Sequence, residues 1–300
     1  MPSSPEIVQT EILRWRRNEA PRRETDALAR EEPLEIRVRG QSVAVTMRTP
    51  GHDEELAAGF LLTEGLVTRR EDIVEIGHCQ QGEAAQLGNT LNVFLAPSVV
   101  VDFEQLTRHV FASSSCGLCG KATIESVHRQ FAPLDLERDH PRPQQLTNED
   151  KLAADVGVRA PSAERFTPEV LLQLPVKLAA QQATFDQTGG LHAAALFTAT
   201  GELLVLREDV GRHNAVDKVL GWCFLNGPFP PADHILLVSG RASFEILQKA
   251  LAARVPVVAA ISAPSSLAVE FAQQSGQTLV GFLRGAGMNI YSGAERLAGD

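Results

Sequence analysis

Apolar positions along the chain recur with two periods, and the switches between them mark out the elements. Leu34, Ile36 and Val38 alternate with charged residues, Val43, Val45 and Met47 alternate with small or polar ones, and Gly40 lies between. This predicts the two strands of a hairpin. Residues 53–64 are apolar at Leu56, Phe60 and Leu61 and are followed by Gly65, a helix with its stop signal. Residues 73–76 and 90–95 read as two more strands, so the first part of the chain has the order β-β-α-β-β. Thr167-Pro168-Glu169 starts a helix, with the threonine as cap and the proline in the first turn. That helix is expected to break near Pro175 and to resume through Phe185. Strands follow at residues 191–197 and 203–206, with a turn at Gly201, and then a helix from Arg212 to about Trp222. Three further strands, 235–238, 255–261 and 278–282, alternate with helices at 244–253 and 267–274.

Strands that alternate with helices are parallel and joined by right-handed crossovers. One antiparallel hairpin and three parallel strands give a five-stranded mixed sheet with helices on both faces. This α/β layout resembles the cytidine-deaminase-like fold. Before it lies a smaller α+β domain, residues 31–132, which ends in a Cys-x-x-Cys loop and a helix at 121–129. Residues 1–30, rich in Arg, Glu and Ala, read as a mobile tail with a short helix near 12–17. Residues 133–165 are rich in Pro, Arg, Asp and Glu and read as a linker or surface excursion. The deaminase-like domain occupies 166–300.

Composition narrows the function classes. Apolar residues make up 44% and charged residues 22% of 300, which places the chain among globular proteins with room for two domains. The first twenty residues are polar, so no secretory signal is expected, and no run of about 18 uncharged apolar residues predicts a membrane span. The expected location is the cytoplasm. A net charge of −9 argues against bulk nucleic-acid binding, which needs a basic face.

Deaminases of this fold hold zinc with a His or Cys two residues before a Glu on one helix and Pro-Cys-x-x-Cys on the next. Here the first helix opens Gly211-Arg212-His213-Asn214-Ala215 and the second Ser239-Gly240-Arg241-Ala242-Ser243. The ligands are missing at both places, so no zinc and no deamination are expected.

Four cysteines, Cys79, Cys116, Cys119 and Cys223, make no disulfide scaffold. Cys116 and Cys119 form a Cys-x-x-Cys among Ser113, Ser114, Ser115, Gly117 and Gly120, small neighbours that leave a sulfur open to another protein's active site. Lys121 and the start of the following helix favour thiolate over thiol. The loop alone is compatible with sulfur transfer, with thioredoxin-like disulfide exchange, or with zinc if Cys79 or a histidine completes the set. Cys79 and Cys223 read as structural.

Arg212 and His213 open a helix after a strand, an anion-binding position. Ser239, Arg241 and Ser243 repeat the arrangement one strand later, residues 262–266 follow the next, and residues 280–287 leave the last strand with three glycines and Arg284. Ligands of open α/β sheets sit at the carboxyl ends of parallel strands. The coincidence of these loops points to a ligand with several phosphates. Asp209 would cap or pair with Arg212, and His192 is either a satisfied core histidine or part of this edge.

Five segments are distinctive together: Cys116-Gly-Leu-Cys119-Gly, Thr188-Gly-Gly-Leu-His192-Ala-Ala-Ala, Glu208-Asp-Val-Gly-Arg-His-Asn-Ala-Val-Asp-Lys218, Ser239-Gly-Arg-Ala-Ser243 and Thr278-Leu-Val-Gly-Phe282. On them the chain resembles the formate dehydrogenase accessory sulfurtransferase family (FdhD) from residue 12 to residue 291. The resemblance implies a sulfur carrier between a cysteine desulfurase and the bis-molybdopterin guanine dinucleotide form of the molybdenum cofactor, before that cofactor enters formate dehydrogenase. It implies that Cys116 bears the persulfide, with Cys119 as relay, protector or bystander. It also implies that Val280, Gly281, Phe282, Leu283, Arg284 and Gly285 bind the cofactor and that the protein is a homodimer. The rival readings are a non-catalytic cofactor chaperone, a Cys-x-x-Cys oxidoreductase and a degenerate nucleotide-binding regulator.

Overall fold

The structure, a computed structural model, describes residues 5–80, 88–103, 124–134 and 166–297. Among them are twelve strands in three sheets. β1 (Ile7–Arg14) and β2 (Arg22–Ala29) form a separate two-stranded antiparallel sheet. The sequence reading of 1–30 as a tail with a helix is therefore corrected. The chain reverses between the two strands through Asn18 in the left-handed region, at φ 68°. Both faces of the hairpin carry exposed side chains, Leu13, Trp15 and Leu28 among them, so no alternation of apolar and polar residues announces the strands.

The second sheet has the order β4-β3-β6-β5, from β3 (Glu32–Val38), β4 (Gln41–Arg48), β5 (Ile73–His78) and β6 (Thr90–Leu95). β3 and β6 are parallel because α1 (Asp53–Thr63) and β5 intervene between them. Leu34, Ile36, Val38, Val43, Leu91 and Val93 bury one face of this sheet in the same core cluster as Leu56, Leu61 and Leu62 of α1.

The third sheet has six strands in the order β12-β11-β10-β9-β7-β8. It comprises β7 (His192–Thr198), β8 (Leu203–Asp209), β9 (His234–Val238), β10 (Val257–Ala260), β11 (Thr278–Arg284) and β12 (Gly287–Ser292). β9, β10 and β11 are parallel and β7 pairs antiparallel with β8, as the sequence predicts, and β7 is also antiparallel to β9. The sixth strand corrects the expected five. β12 lies at the sheet edge with few buried side chains and bulges in its pairing to β11, so its pattern is weak.

Side chains alternate across this sheet into two cores. Ala194, Leu196, Leu236, Val238, Val258 and Leu279 share one cluster with α5 (Arg212–Leu225), α6 (Phe244–Ala252) and α7 (Ser266–Ser275). Ala193, Ala195, Phe197, Ile235, Leu237, Val257 and Val280 share the other with α3 (Pro168–Ala179). α3 is continuous through Pro175, and the break expected there is corrected. Leu171, Leu174 and Leu178 on either side of the proline are fully buried against the sheet, and their burial outweighs the one backbone hydrogen bond that the ring forfeits. A separate short helix, α4 (Ala183–Thr188), follows.

The first core cluster runs without interruption from the second sheet through α1 and α5 into the third. α1 and α5 cross at two glycines. A Cβ on Gly59 would lie 1.9 Å from the Asp217 carbonyl oxygen, and one on Gly221 would lie 1.8 Å from that of Glu55. α2 (Ile124–Gln130) sits on the far end of α7, where His128 Nε2 is 2.9 Å from Ser275 Oγ and the Leu134 N–H donates to the Ser275 carbonyl at 2.9 Å. No helix among the described residues is long and apolar enough to cross a membrane.

Candidate functional site

The register of the six-stranded sheet brings several predicted residues to one edge. His192 starts β7 opposite Asp209, which ends β8, while Ala194 faces Val238 at the end of β9. The chain that leaves β9 therefore passes His192. A Cβ on Gly240 would stand 3.4 Å from His192 Nδ1 and 3.7 Å from Arg212 Cδ. Both are ordinary van der Waals distances, and they place the Gly240 backbone directly beside the two side chains.

Ser239 continues the sheet by one residue. Its N–H donates to the Ala193 carbonyl and its Oγ accepts from the Ala193 N–H, both at 2.9 Å, so its polar atoms are engaged within the protein. Ser243 precedes α6, and its Oγ lies 3.3 Å from His213 Nε2 and donates to Glu245 at 3.2 Å. His213 Nε2 is 3.0 Å from Glu245 Oε2. The hydrogen bond from His213 holds the Glu245 carboxyl down at about 2. This bridge joins the N-termini of α5 and α6. Among the described residues no group of three His, Cys, Asp or Glu side chains could hold a metal ion.

Arg212 is the first residue of α5, and its Nε is buried with no hydrogen-bond acceptor. An unmet buried donor is costly, and beside a helix N-terminus it marks a place for an anion. His192 is pushed below the ordinary imidazole range, first by burial and then by the charges of Arg212 and His213. At neutral pH it is an uncharged ring that can accept as well as donate.

Asp209 organises the loop beneath Arg212. It is fully buried and accepts from the Gly211 N–H at 2.8 Å, Asn214 Nδ2 at 3.0 Å, the Thr49 N–H at 3.1 Å and Lys218 Nζ at 2.7 Å. Its ionic partner is Lys218 rather than Arg212. Lys218 is 1% exposed and also donates to the Thr49 carbonyl at 2.8 Å. Sequence reasoning did not single out Lys218, Thr49, Asn214 or Glu245. The available signal was a lysine set between Val216, Val219 and Leu220 in an apolar helix, where only a buried acceptor makes it tolerable.

The next loop along the edge is stitched to the first, because Ala242 bridges Pro264 and the Ser265 N–H donates to the Ala242 carbonyl at 3.0 Å. Residues 280–284, expected to leave the last strand as a loop, lie within β11, and Gly285 and Ala286 form the turn into β12. Val280 and Leu283 bury their side chains in the core. Gly281 is pinned in place, since a Cβ there would meet Pro264 Cδ at 2.8 Å and Tyr291 Cε2 at 3.0 Å. What this segment can offer a ligand is Phe282, Arg284 and Gly285. Phe282 has φ 51°, and Arg284 stacks over its ring at 5.5 Å. Thus His192, Arg212, His213, Arg241 and Ser243 share one part of the edge. Arg284 lies two strands further along, about 10 Å at ordinary strand spacing. Cys116 and Cys119 lie outside the described residues. Cys223 is buried, donates to the Pro228 carbonyl, and has its thiol pushed up to about 12 by desolvation.

Residues 29–154 and 144–298 match the model of the FdhD/NarQ family. This chain belongs to the FdhD/NarQ family. Relatives include the sulfur carrier protein FdhD of Streptomyces coelicolor, 49% identical over 276 residues that cover 91% of this chain and 89% of that one. The sulfur carrier protein FdhD of Mycobacterium tuberculosis is 49% identical over 279 residues, 91% of this chain and 92% of that one. A crystal structure from Desulfotalea psychrophila, provisionally described as a formate dehydrogenase accessory protein, superposes with a TM-score of 0.71 at 24% identity, over 98% of this chain and all of that one. The mixed α/β architecture is thus an FdhD/NarQ architecture.

Proposed function

We propose that the chain is a sulfur carrier, which accepts sulfur on Cys116 from a cysteine desulfurase and passes it to the molybdenum cofactor before that cofactor enters formate dehydrogenase. The observation that carries this reading is the 49% identity over 91% of the chain to proteins named sulfur carrier protein FdhD. In the loading step the Cys116 thiolate attacks the outer sulfur of the donor's persulfide. A new S–S bond forms, the donor's S–S bond breaks, and the donor leaves as a thiolate, with no net oxidation.

The cofactor enters as substrate, and the strand edge fits a phosphate-bearing dinucleotide. Arg212 holds an unmet buried donor at a helix N-terminus, His192 supplies a neutral ring, and Arg241 and Arg284 add exposed cationic ends along the same edge.

Intact-mass spectrometry after incubation with a cysteine desulfurase and cysteine tests the loading step. The expected result is a reducible gain of one sulfur on Cys116, absent in Cys116→Ala. A protein that gains no sulfur yet still restores formate dehydrogenase would instead be a non-catalytic cofactor chaperone. Guanosine diphosphate, which shares the cofactor's nucleotide end, tests the edge. Arg212→Ala is expected to weaken its binding about tenfold or more, the loss of one charge-assisted hydrogen bond.

A further inference from the structure

Five hydrogen bonds tie the loop that carries Arg212 and His213 to one short stretch of a different sheet. The Thr49 N–H donates to Asp209 Oδ2 at 3.1 Å, and the Val210 N–H donates to Thr49 Oγ1 at 3.1 Å. Asn214 Nδ2 donates to the Met47 carbonyl at 2.7 Å, and Thr46 Oγ1 donates to Asn214 Oδ1 at 3.2 Å. Lys218 Nζ donates to the Thr49 carbonyl at 2.8 Å. Thr46 and Met47 belong to β4 and Thr49 directly follows it, while every partner lies between Asp209 and Lys218. Thr49 is 1% exposed, so its hydroxyl faces this loop and not solvent.

Such lacing exceeds what a strand-to-helix turn needs. Asp209 already receives the Gly211 N–H and Asn214 from within its own loop. The additional bonds from β4 fix where residues 210–214 stand relative to the strand edge. The Arg212 guanidinium has a buried Nε without an acceptor of its own, so nothing on the Arg212 side chain at that atom holds it in place. Its position is inherited from the backbone beneath it.

We infer that Thr46 and Thr49 are positioning residues of the candidate site: they hold the 209–214 loop so that Arg212 is presented to an anionic ligand in a set place. The inference rests on the reading of this edge as the cofactor's phosphate site. It assigns the second sheet a part in the site, as the support that aligns the loop. A preorganised donor binds an anion more tightly than one that must first be ordered, because the ordering cost is removed from the binding step.

The test uses the full chain and titration calorimetry with guanosine diphosphate at low and high salt. Thr49→Val keeps the shape of the side chain and removes the acceptor of the Val210 N–H. It is expected to weaken binding about tenfold, which corresponds to about 1.4 kcal/mol. Its affinity should also depend less on salt, because the Arg212 charge is no longer held against the ligand. Thr49→Ser restores the acceptor and should bind within about twofold of the wild type, by the same hydrogen-bond logic. Sulfur loading of Cys116 should be equal in all three proteins. If Thr49→Val does not fold, Thr46→Val, at a half-buried position, is expected to weaken binding severalfold. Nucleotide affinity and salt slope unchanged in Thr49→Val, or in Thr46→Val where that variant replaces it, would overturn the inference while leaving the edge reading intact. A wild-type protein that binds no guanosine diphosphate would remove the edge reading, and the inference with it.

Discussion

Burial holds His128, His192 and His234 below the ordinary imidazole range, and at His192 the charges of Arg212 and His213 add to it. A histidine whose folded pKa is depressed binds its proton more readily in the unfolded chain. Its contribution to stability is present above about pH 6.5 and is lost as the pH falls through the folded value. His192→Gln should therefore flatten the decline in urea midpoint between pH 7.5 and about pH 5.5, and NMR titration should place the His192 ring below 6.5. The same desolvation acts in the opposite sense on Cys223. With its thiol pushed up to about 12, Cys223 should resist iodoacetamide at pH 8 in the native protein and react only on unfolding. Mass mapping of the alkylated protein would show it, and a native label on Cys223 would contradict the buried position. Burial thus sets Cys223 aside as a sulfur-bearing thiol and leaves the Cys-x-x-Cys pair and the partly exposed Cys79.

At the scale of elements, the crossing of α1 and α5 depends on two absent side chains. Gly59→Ala or Gly221→Ala would place a methyl within 2 Å of a carbonyl oxygen of the facing helix, and backbone cannot rotate away as a side chain can. Each is expected to cost about 3 kcal/mol, read as a lower urea midpoint. Neither glycine stands out in the sequence, because each sits within an ordinary helical pattern and its partner is more than 150 residues away. The elements themselves were legible wherever one face is buried. Thr90–Leu95 and His234–Val238 alternate between apolar and polar or run apolar throughout, and the cap at Thr167 accepts the Val170 N–H as its sequence promises. Legibility failed where burial does not discriminate between faces, at β1, β2 and β12, and at Pro175, where packing overrides a local penalty. At the site, the helix-start residues Arg212 and His213 were readable from their position after a strand. Asp209's true partner was not, because Lys218 comes beneath it only through the turn of α5. The glycines of 285–287 signalled a turn, and the turn joins β11 to β12, a pairing that the weak pattern of β12 did not announce.

For the molecule as a whole, one apolar cluster joins the second sheet, the helices α1, α5, α6 and α7, and the third sheet. Buried ion pairs reinforce the same junction. Lys249 contacts Asp217 at 2.8 Å, and Thr63 of α1 donates to that carboxylate at 3.0 Å. With no solvent layer between the sheets, they should unfold together. Circular dichroism and Trp222 fluorescence are expected to report one coincident urea transition, and two separated midpoints would show that the sheets are energetically independent.

The β1–β2 hairpin stands outside that junction, paired only with itself, and the family match begins at residue 29, where it ends. Five arginines fall between Arg14 and Arg23, and Leu13 and Trp15 are exposed beside them. Its base is fastened to α4, where Thr184 Oγ1 donates to the Glu6 carboxylate at 2.9 Å, so the arm offers a charged and apolar tip to solvent while its root is held by the body of the molecule.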